Sequence, residues 1–386
     1  MSVHDAVFQS LALCTQRPGE GLVDASLSAA IAELSSHELV DAAEHHGLDP
    51  LLFAHLRAAR TPVDPGVLDR LRTRHLQHSH ACAVRARVMT DVLSAMDRSR
   101  VRLLVLKGAA LAYLTYADPR LRPMRDVDLL VHKDDLRRAH AVLIRGGFTP
   151  SGAPLAPHHH HLPGLSKNLD GATVTVELHH EMLPRTPFLT PLAYDDLAST
   201  SQHVEIGGVE ARAPAREELL WHAYAHGFVI NTLCPGSLRL LSLADVVHGV
   251  EAWIDVLDWE RLRRRYPRLV RGLTLVSCVV PWSQKVAARL GECASFAEWP
   301  VRPVASSLAW SSALRADVLW PGEWWFRMRY GINGLPGWVW YRSVGHPAVF
   351  MASAARSVMT RFSRRMHPNA PHVIEERPGL DECNKY

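Results

Sequence analysis

Two aspartates separated by one residue are the strongest chemical signal in the sequence. Asp126 and Asp128 belong to the run 126–131 (DVDLLV), which is typical of a buried strand. Because side chains alternate along a strand, both carboxylates face the same side of a sheet and repel each other there. A divalent cation removes that repulsion, and oxygen ligands favour Mg²⁺ or Mn²⁺ over Zn²⁺. The pair therefore predicts a metal site.

A third acid lies on a later segment with strand periodicity. Glu177 belongs to 173–179 (TVTVELH), whose polar side chains share one face of the predicted strand. Three carboxylates on neighbouring strands can hold two metal ions for in-line phosphoryl chemistry. His179 shares that face, where it would orient Glu177 or contact phosphate. A structural alternative is open for an isolated Asp-x-Asp pair, in which Asp126 pairs with a nearby arginine and Asp128 lies at a strand edge.

Basic and small residues precede the acid pair. Lys107, Gly108 and Ala109 follow the apolar run 102–106, at a predicted strand-to-helix turn. Free N–H groups and the helix dipole favour a phosphate at such a turn, and Gly108 permits close backbone approach. Arg122 and Arg125 come directly before the acids and could clamp a triphosphate. The combination is more specific than any one of these features.

The elements that position these residues predict an α+β protein in three parts with a tail. Helical periodicity dominates both ends, whereas strand patterns and turn residues lie in the middle. A Pro-, His- and Gly-rich loop is predicted for 149–172, and a hairpin for 203–212. The predicted parts are an N-terminal helical region (1–97), an α/β core with a mixed sheet (98–213), a C-terminal helical domain (214–366) and a flexible tail (367–386).

Three segments resemble a known family. The sequences 106–111 (LKGAAL), 122–131 (RPMRDVDLLV) and 176–179 (VELH) resemble the uncharacterised nucleotidyltransferase family of the DNA polymerase β-like superfamily. The resemblance covers residues 100 to 250 well and the later helices loosely. The chain departs from the superfamily pattern at Gly108-Ala109, where Gly-Gly or Gly-Ser is usual, and in having a glutamate as third acid. The resemblance implies a minimal nucleotidyltransferase core for 98–213.

The resemblance also implies a reaction. A nucleoside monophosphate would move from an NTP to a hydroxyl, phosphate or carboxylate acceptor on a small molecule, peptide or protein, with release of pyrophosphate. The family context is bacterial biosynthetic gene clusters, and the implied cofactor is Mg²⁺ or Mn²⁺. The implied catalytic and metal-binding residues are Asp126, Asp128 and Glu177. The predicted nucleotide-binding or cleft-lining residues are Lys107, Gly108, Ala109, Arg122, Arg125, His179, His226, Arg239 and Asp245.

Two other function classes stay open at this point. One is a non-catalytic nucleotide-binding protein with the same fold, and the other is toxin-like nucleotidyl transfer to tRNA or protein. The formal net charge is only +4 over 386 residues, with an isoelectric point near 8.8. Nucleic acid is therefore not the expected partner, because a stripe of phosphate contacts requires concentrated basic charge.

Several histidines admit more than one interpretation. His222 and His226 have the i, i+4 spacing of two zinc ligands, but Ala223 stands where a zincin has its glutamate. His226 would instead line the cleft with Arg239 and Asp245, or these groups would pair with one another. The tract 158–161 predicts a solvated loop in preference to a metal site or a substrate contact.

Sequence features also suggest the cellular setting. The six cysteines are scattered without a Cys-x-x-Cys pair, which favours a reducing compartment. No export signal and no apolar stretch of about 18 residues is evident. We therefore expect a cytoplasmic protein. The basic segment 354–365 predicts a surface helix, with contact to a membrane or an acidic partner as an alternative.

Overall fold

The computed structural model describes residues 3–19, 27, 31, 36–59, 63–151, 159–185, 189–230, 239–293 and 343. The predicted basic helix at 354–365 and the predicted tail from residue 367 lie outside these ranges. The division of the chain into three parts stays a prediction. Within the described ranges, no helix combines the length and the apolar composition that crossing a membrane requires.

The described ranges before the sheet contain the helices α1 (Val3–Leu13), α2 (Ser36–His46), α3 (Asp49–Ala59) and α4 (Pro65–Arg98). The start of α4 follows the expected chemistry, since the Asp64 carboxylate accepts hydrogen bonds from Gly66 N and Val67 N. Its buried side chains, Met89 among them, face the main hydrophobic core. This helix agrees with the helical periodicity of the N-terminal end of the chain.

A five-stranded mixed sheet forms the centre of the described fold. Its strand order is β1-β2-β5-β4-β3, with β2 and β5 parallel and the other neighbours antiparallel. The α+β fold class is thereby confirmed. The strands and the helices between them are β1 (Leu103–Val105), α5 (Lys107–Leu114), β2 (Asp126–Val131), α6 (Leu136–Arg145), β3 (Thr149–Pro150), β4 (Leu165–Leu169) and β5 (Ala172–His179).

The predicted loop at 149–172 is wrong, because two strands lie within that range. Strand β4 pairs with β5 through a tight turn, in which Asp170 and Gly171 adopt φ angles of 47° and 76°. Asp-Gly is the sequence that a two-residue hairpin with positive φ angles favours. The sequence did not indicate β4 because a strand that faces water on one side lacks an apolar run. Three of its five residues are polar, namely Ser166, Lys167 and Asn168.

The described chain continues with α7 (Tyr194–Ala198), the hairpin β6 (Gln202–Ile206) and β7 (Val209–Ala213), and six more helices or helix segments. These are α8 (Arg216–Tyr224), a π-helical segment (Ala225–Ile230), α9 (Leu240–Trp253), α10 (Trp259–Arg265), α11 (Pro267–Val276) and α12 (Gln284–Cys293). The predicted hairpin at 203–212 is confirmed.

Close packing of α11 against α8 constrains the helices behind the sheet. A Cβ atom at Gly272 on α11 would collide with the ring of Tyr224, which is fully buried on α8. Both residues belong to helices whose other buried side chains join the main core. The absence of a side chain at position 272 therefore sets how closely the two helices approach.

We predict that Gly272→Ala destabilises the protein by about 1–3 kcal/mol, because the added methyl group overpacks the core. Gly291→Ala is the matched control. It also adds one methyl group to a helix, but no atom of the described residues lies within 4 Å of the new Cβ. The control should leave stability unchanged or raise it by roughly 0.5 kcal/mol. Denaturant unfolding followed by circular dichroism checks both, and equal midpoints for the two variants would contradict the packing argument.

Candidate active site

The three predicted acids lie on adjacent strands of the sheet. Asp128 on β2 is directly opposite Glu177 on β5, and Asp126 is opposite Thr175. His179 links the two strands, since its Nε2 lies 2.7 Å from Asp128 Oδ1 and 3.5 Å from Glu177 Oε2. The structure therefore brings the acids predicted from sequence to one face of the parallel pair β2 and β5.

Asp128 is the most enclosed of these acids, with a side chain only 3% exposed. Its Oδ1 atom accepts hydrogen bonds from Lys107 Nζ at 2.8 Å and from His179 Nε2 at 2.7 Å. Burial would raise the pKa of Asp128, but the Lys107 charge and the His179 hydrogen bond outweigh burial and hold that pKa well below its usual range. Asp128 is consequently ionised at neutral pH.

Lys107 reaches Asp128 from an unusual backbone conformation. It is the first residue of α5 and has a φ angle of 40°, in the left-handed region that disfavours side chains with a Cβ atom. Such a conformation costs of the order of 1–3 kcal/mol and persists only where surrounding contacts fix it. The ion pair with Asp128 and the hydrogen bond from Leu106 N to the Asp128 carbonyl oxygen supply such contacts.

The Asp126 carboxylate, in contrast, forms no hydrogen bond and no ion pair with any described residue. Its side chain is half-buried at the start of β2 and lines a pocket. Burial, followed by the negative charge of Asp128, raises the pKa of Asp126. The folded protein therefore pays for keeping this carboxylate ionised, and a bound cation would relieve that cost.

Glu177 faces two imidazole rings. Its Oε2 lies 3.5 Å from His179 Nε2 and 3.6 Å from His161 Nε2. Burial raises the pKa of Glu177, but interactions with the nearby imidazoles, the His179 hydrogen bond foremost, outweigh burial, so the net shift is downward. Among the described residues, the groups whose ligand atoms all lie within 4.8 Å of one another are His159-His160-His161 and His161-Glu177-His179. The three acids alone do not form such a group.

The histidine tract is held against β5, so the predicted solvated loop is wrong for residues 159–161. His161 and His179 form an antiparallel bridge, and His160 O accepts hydrogen bonds from the N–H groups of His180 and Glu181. Burial lowers the pKa of His160 to about 2, which keeps its ring neutral. The backbone pairing gives these side chains the fixed geometry that adjacent histidines in a free loop lack.

Arg122 is committed to an ion pair inside the protein. Its Nε and Nη2 atoms donate to Asp245 Oδ1 at 2.7 Å and Oδ2 at 2.6 Å, and the Tyr116 hydroxyl donates to Oδ1 at 2.9 Å. The guanidinium also covers Gly108, since a Cβ atom there would collide with it. Asp245 therefore pairs with Arg122, and not with His226 or Arg239 as one alternative from the sequence had it.

Two other arginines line the pocket without a carboxylate partner among the described residues. Arg125 is exposed, and Arg239 donates only to the backbone oxygen of His45, at 2.9 Å. Burial and the nearby Arg125 charge lower the pKa of Arg239. Arg239 also precedes the first residue of α9, a 14-residue helix whose N-terminal dipole end is positive. This corner of the pocket therefore favours an anion.

The pocket that connects these features has a volume of about 370 Å³. Its walls come from the sheet, from α5, from the start of α9 and from the N-terminal helices. The predicted residues that line it are Lys107, Gly108, Arg122, Arg125, Asp126, Asp128, His226, Arg239 and Asp245. Ala109 lies in the first turn of α5 with its side chain buried, while Glu177 and His179 lie beside Asp128.

A sequence profile identifies the family. The profile of the uncharacterised nucleotidyltransferase family matches residues 33–275, which is more than half of the chain and includes every predicted site residue. The chain belongs to this family. The match confirms the resemblance seen in the acid motif and in the turn at Lys107. No curated protein sequence matches the chain.

Solved nucleotidyltransferase structures show only a distant similarity. The solution structure of the antibiotic-resistance factor ANT(2'')-Ia aligns with a TM-score of 0.34 and 13% identity, over 50% of this chain and 95% of that one. Its crystal structure with adenylyl-2''-tobramycin gives 0.34 and 12%, over 49% and 99%. An antigenic nucleotidyltransferase-like protein from Paracoccidioides brasiliensis gives 0.36 and 18%, over 53% and 91%. No substrate is inferred from similarity at this level.

The histidine pair His222 and His226 of this nucleotidyltransferase does not form a zinc site among the described residues. His222 and His226 have ring centroids 6.4 Å apart, and neither belongs to a group of three metal-ligating side chains. Burial lowers the pKa of His226 to about 4 and the pKa of His222 well below its usual range. Both rings are therefore neutral, and His226 lines the pocket as predicted.

Some functional candidates were missing from the sequence-based set. Tyr116 has no motif that marks it, because it acts through a contact with α9. His161 belongs to the tract interpreted as a solvated loop, and only its bridge to β5 shows that it lies beside Glu177. Glu44, Asp49, Arg74 and His78 also line the pocket from the N-terminal helices. Their helical spacing resembles that of any solvated face, so only the packing of α2, α3 and α4 reveals them.

We predict that Asp126→Asn stabilises the cation-free protein at pH 7 by of the order of 1 kcal/mol, because it removes an ionised carboxylate whose pKa is raised. A raised folded-state pKa means that the wild type regains this free energy as the pH falls through that pKa. The advantage of the variant should therefore vanish in acid.

Thermal unfolding in EDTA at several pH values checks this expectation. The control is Asp91→Asn, an exposed aspartate on α4. Added Mg²⁺ should raise the unfolding temperature of the wild type more than that of Asp126→Asn. A variant less stable than the wild type at pH 7 would contradict the argument.

Proposed function

We propose that this nucleotidyltransferase transfers a nucleoside monophosphate from an NTP to an acceptor and releases pyrophosphate, with Mg²⁺ or Mn²⁺ as cofactor. The observation that carries the proposal is the placement of Asp126, Asp128 and Glu177 on one face of two parallel strands, beside a pocket with two arginines that have no acidic partner among the described residues. Family membership supports the reaction class, and the geometry supports the assignment of residues.

The acids fit a divalent cation. The Asp126 carboxylate is half-buried and has no hydrogen-bond or ion-pair partner among the described residues. Burial raises its pKa, and the charge of Asp128 raises it further. Asp128 and Glu177 face each other across β2 and β5 and supply further oxygen ligands. A bound divalent ion would neutralise the charge on the transferring phosphate and lower the pKa of the acceptor hydroxyl.

Lys107 balances Asp128 in the cation-free protein and has a second partner when nucleotide is present. Its ammonium group lies at the N-terminus of α5, in the pocket that also contains Arg125. A triphosphate there offers anionic oxygens to the same ammonium group. Lys107 would then exchange its carboxylate partner for a phosphate oxygen, which leaves Asp128 available to the cation.

Arg125 and Arg239 are the proposed triphosphate ligands. Both guanidinium groups line the pocket, and neither pairs with a carboxylate among the described residues. Their mutual repulsion falls when an anion binds between them. Arg122 has a different role, because its bidentate pair with Asp245 joins the segment after α5 to α9. It positions the pocket walls instead of supplying a free charge.

Glu177 is the proposed proton acceptor. Its lowered pKa keeps the carboxylate ionised at neutral pH, and its neighbours leave it 22% exposed. The acceptor hydroxyl loses its proton to Glu177 and attacks the α-phosphorus, while the bond to the pyrophosphate oxygen breaks and pyrophosphate leaves with that electron pair. The acceptor, on a small molecule, peptide or protein, would enter along the polar wall formed by α2, α3 and α4.

A non-catalytic nucleotide-binding protein is the second candidate. One observation favours it, namely that Lys107 and His179 already balance Asp128 without a metal ion. Calorimetry with a non-hydrolysable NTP analogue separates the two functions. Nucleotide binding that is the same in Mg²⁺ and in EDTA supports the non-catalytic candidate, whereas binding that requires Mg²⁺ supports the enzyme.

The acceptor molecule and the preferred nucleobase of the NTP are identified by incubating the protein with each α-labelled NTP, Mg²⁺ and a cell extract or candidate acceptors. Asp128→Asn should reduce labelling at least about 10³-fold, because it removes an anionic ligand that acts on the transition state. The control is again Asp91→Asn, which should label at the wild-type rate. Transfer by folded Asp128→Asn at the wild-type rate would disprove the assignment.

The arginines give a separate test. Arg125→Ala and Arg239→Ala should each weaken NTP binding about ten- to a hundredfold, since each removes a charge-assisted hydrogen bond. Arg137→Ala, an exposed arginine on α6, is the control and should bind as the wild type does. Equilibrium dialysis with labelled NTP measures the effect. Unchanged binding by both pocket variants would place the triphosphate elsewhere.

A further inference from the structure

The Nε2 atom of His161 is in an electrostatically unusual position, as the contact of the other ring nitrogen shows. Its Nδ1 lies 2.7 Å from the carbonyl oxygen of Leu162, and a carbonyl oxygen only accepts hydrogen bonds. Nδ1 therefore carries the proton of the neutral ring, and Nε2 presents its lone pair. That lone pair is 3.6 Å from the carboxylate oxygen Glu177 Oε2. Two electron-rich atoms facing each other at this distance repel, and either a proton on Nε2 or a metal cation between the two atoms makes the contact attractive.

The same hydrogen bond is the outer contact typical of a metal-ligating histidine. Such residues usually donate the ring N–H that does not bind the metal to a carbonyl or carboxylate oxygen, which fixes the tautomer and the ring orientation. His161 meets this condition through Leu162. The bridge between His161 and His179 then fixes the backbone of the tract relative to β5.

The distances also fit one ion. Ligand atoms at about 2.1 Å from a common metal lie about 3.0–3.5 Å apart in octahedral or tetrahedral geometry. Glu177 Oε2 lies 3.5 Å from His179 Nε2 and 3.6 Å from His161 Nε2, and all three ligand atoms lie within 4.8 Å of one another. The side chains of His161 and Glu177 are 13% and 22% exposed, so the ion has an entry path.

We propose that His161, Glu177 and His179 form a nitrogen-containing site for a first-row transition-metal ion, with Mn²⁺ as its test ligand, at the Glu177 end of the acid cluster. In the cation-free protein His179 Nε2 donates its proton to Asp128; metal binding releases that proton to solvent, because a ligating nitrogen must be deprotonated. Imidazole nitrogen favours such ions over Mg²⁺, which prefers oxygen. This inference rests on the proposed function, because Glu177 belongs to both. It adds that the two histidines select which metal ion binds at Glu177.

Mn²⁺ titration of the full-length protein, followed by electron paramagnetic resonance, tests the site without an activity assay. Pulsed spectra of bound Mn²⁺ should contain the ¹⁴N couplings of imidazole. His161→Ala, and His161→Gln as a variant closer in size, should reduce these couplings and weaken Mn²⁺ binding at least about tenfold. Competition with Mg²⁺ should show a smaller loss of Mg²⁺ affinity. His203→Ala, an exposed histidine on β6, is the control and should match the wild type.

Mn²⁺ bound without ¹⁴N coupling, or coupling and affinity that persist in both His161 variants, would overturn the proposed site. Failure of this inference is distinguishable from failure of the proposed function. If Mn²⁺ or Mg²⁺ supports nucleotide transfer while the spectra lack nitrogen coupling, only the histidine site is wrong. If nitrogen coupling is present but no NTP is ever turned over, the site stands and the proposed transfer is wrong.

Discussion

The buried carboxylate of Asp128 is the constraint on which the rest of the site depends. An ionised group this deeply enclosed is tolerated only with compensating charge and hydrogen bonds. Lys107 and His179 provide both, one from the start of α5 and the other from the end of β5. The same carboxylate therefore joins a helix and two parallel strands. The left-handed backbone of Lys107 is one cost of this arrangement.

A second buried ion pair fixes the opposite wall of the pocket. Arg122 and Asp245 form two hydrogen bonds, and Tyr116 adds a third to the same carboxylate. The effect is to divide the basic residues of the site by task. Arg122 stabilises the packing of α9 against the core, which leaves the charges of Arg125 and Arg239 available to an anion. Sequence spacing alone places Arg122 and Arg125 in one group, since both lie close to the acids.

The sequence predicted the central strands and the acids well, because their signals are local. Strand β2 has the predicted bounds, and the period-two pattern of β5 places Glu177 on the polar face. The failures are non-local. The β4 strand depends on pairing across the Asp170-Gly171 turn, and the place of the histidine tract depends on its bridge to β5. A pattern of side chains along the chain does not encode which partner a half-exposed strand or a loop will meet.

The competition for Asp128 has a consequence for the order of binding. Lys107 and a divalent cation compete for the Asp128 carboxylate, so cation affinity is reduced while Lys107 is paired with its Oδ1 atom. Under the proposed function, the phosphates of an NTP attract Lys107 away and thereby raise cation affinity. Linkage then requires that the cation raise NTP affinity by the same factor. Asp126, whose carboxylate has no partner among the described residues, favours the cation-bound states further, because a bound cation balances its charge.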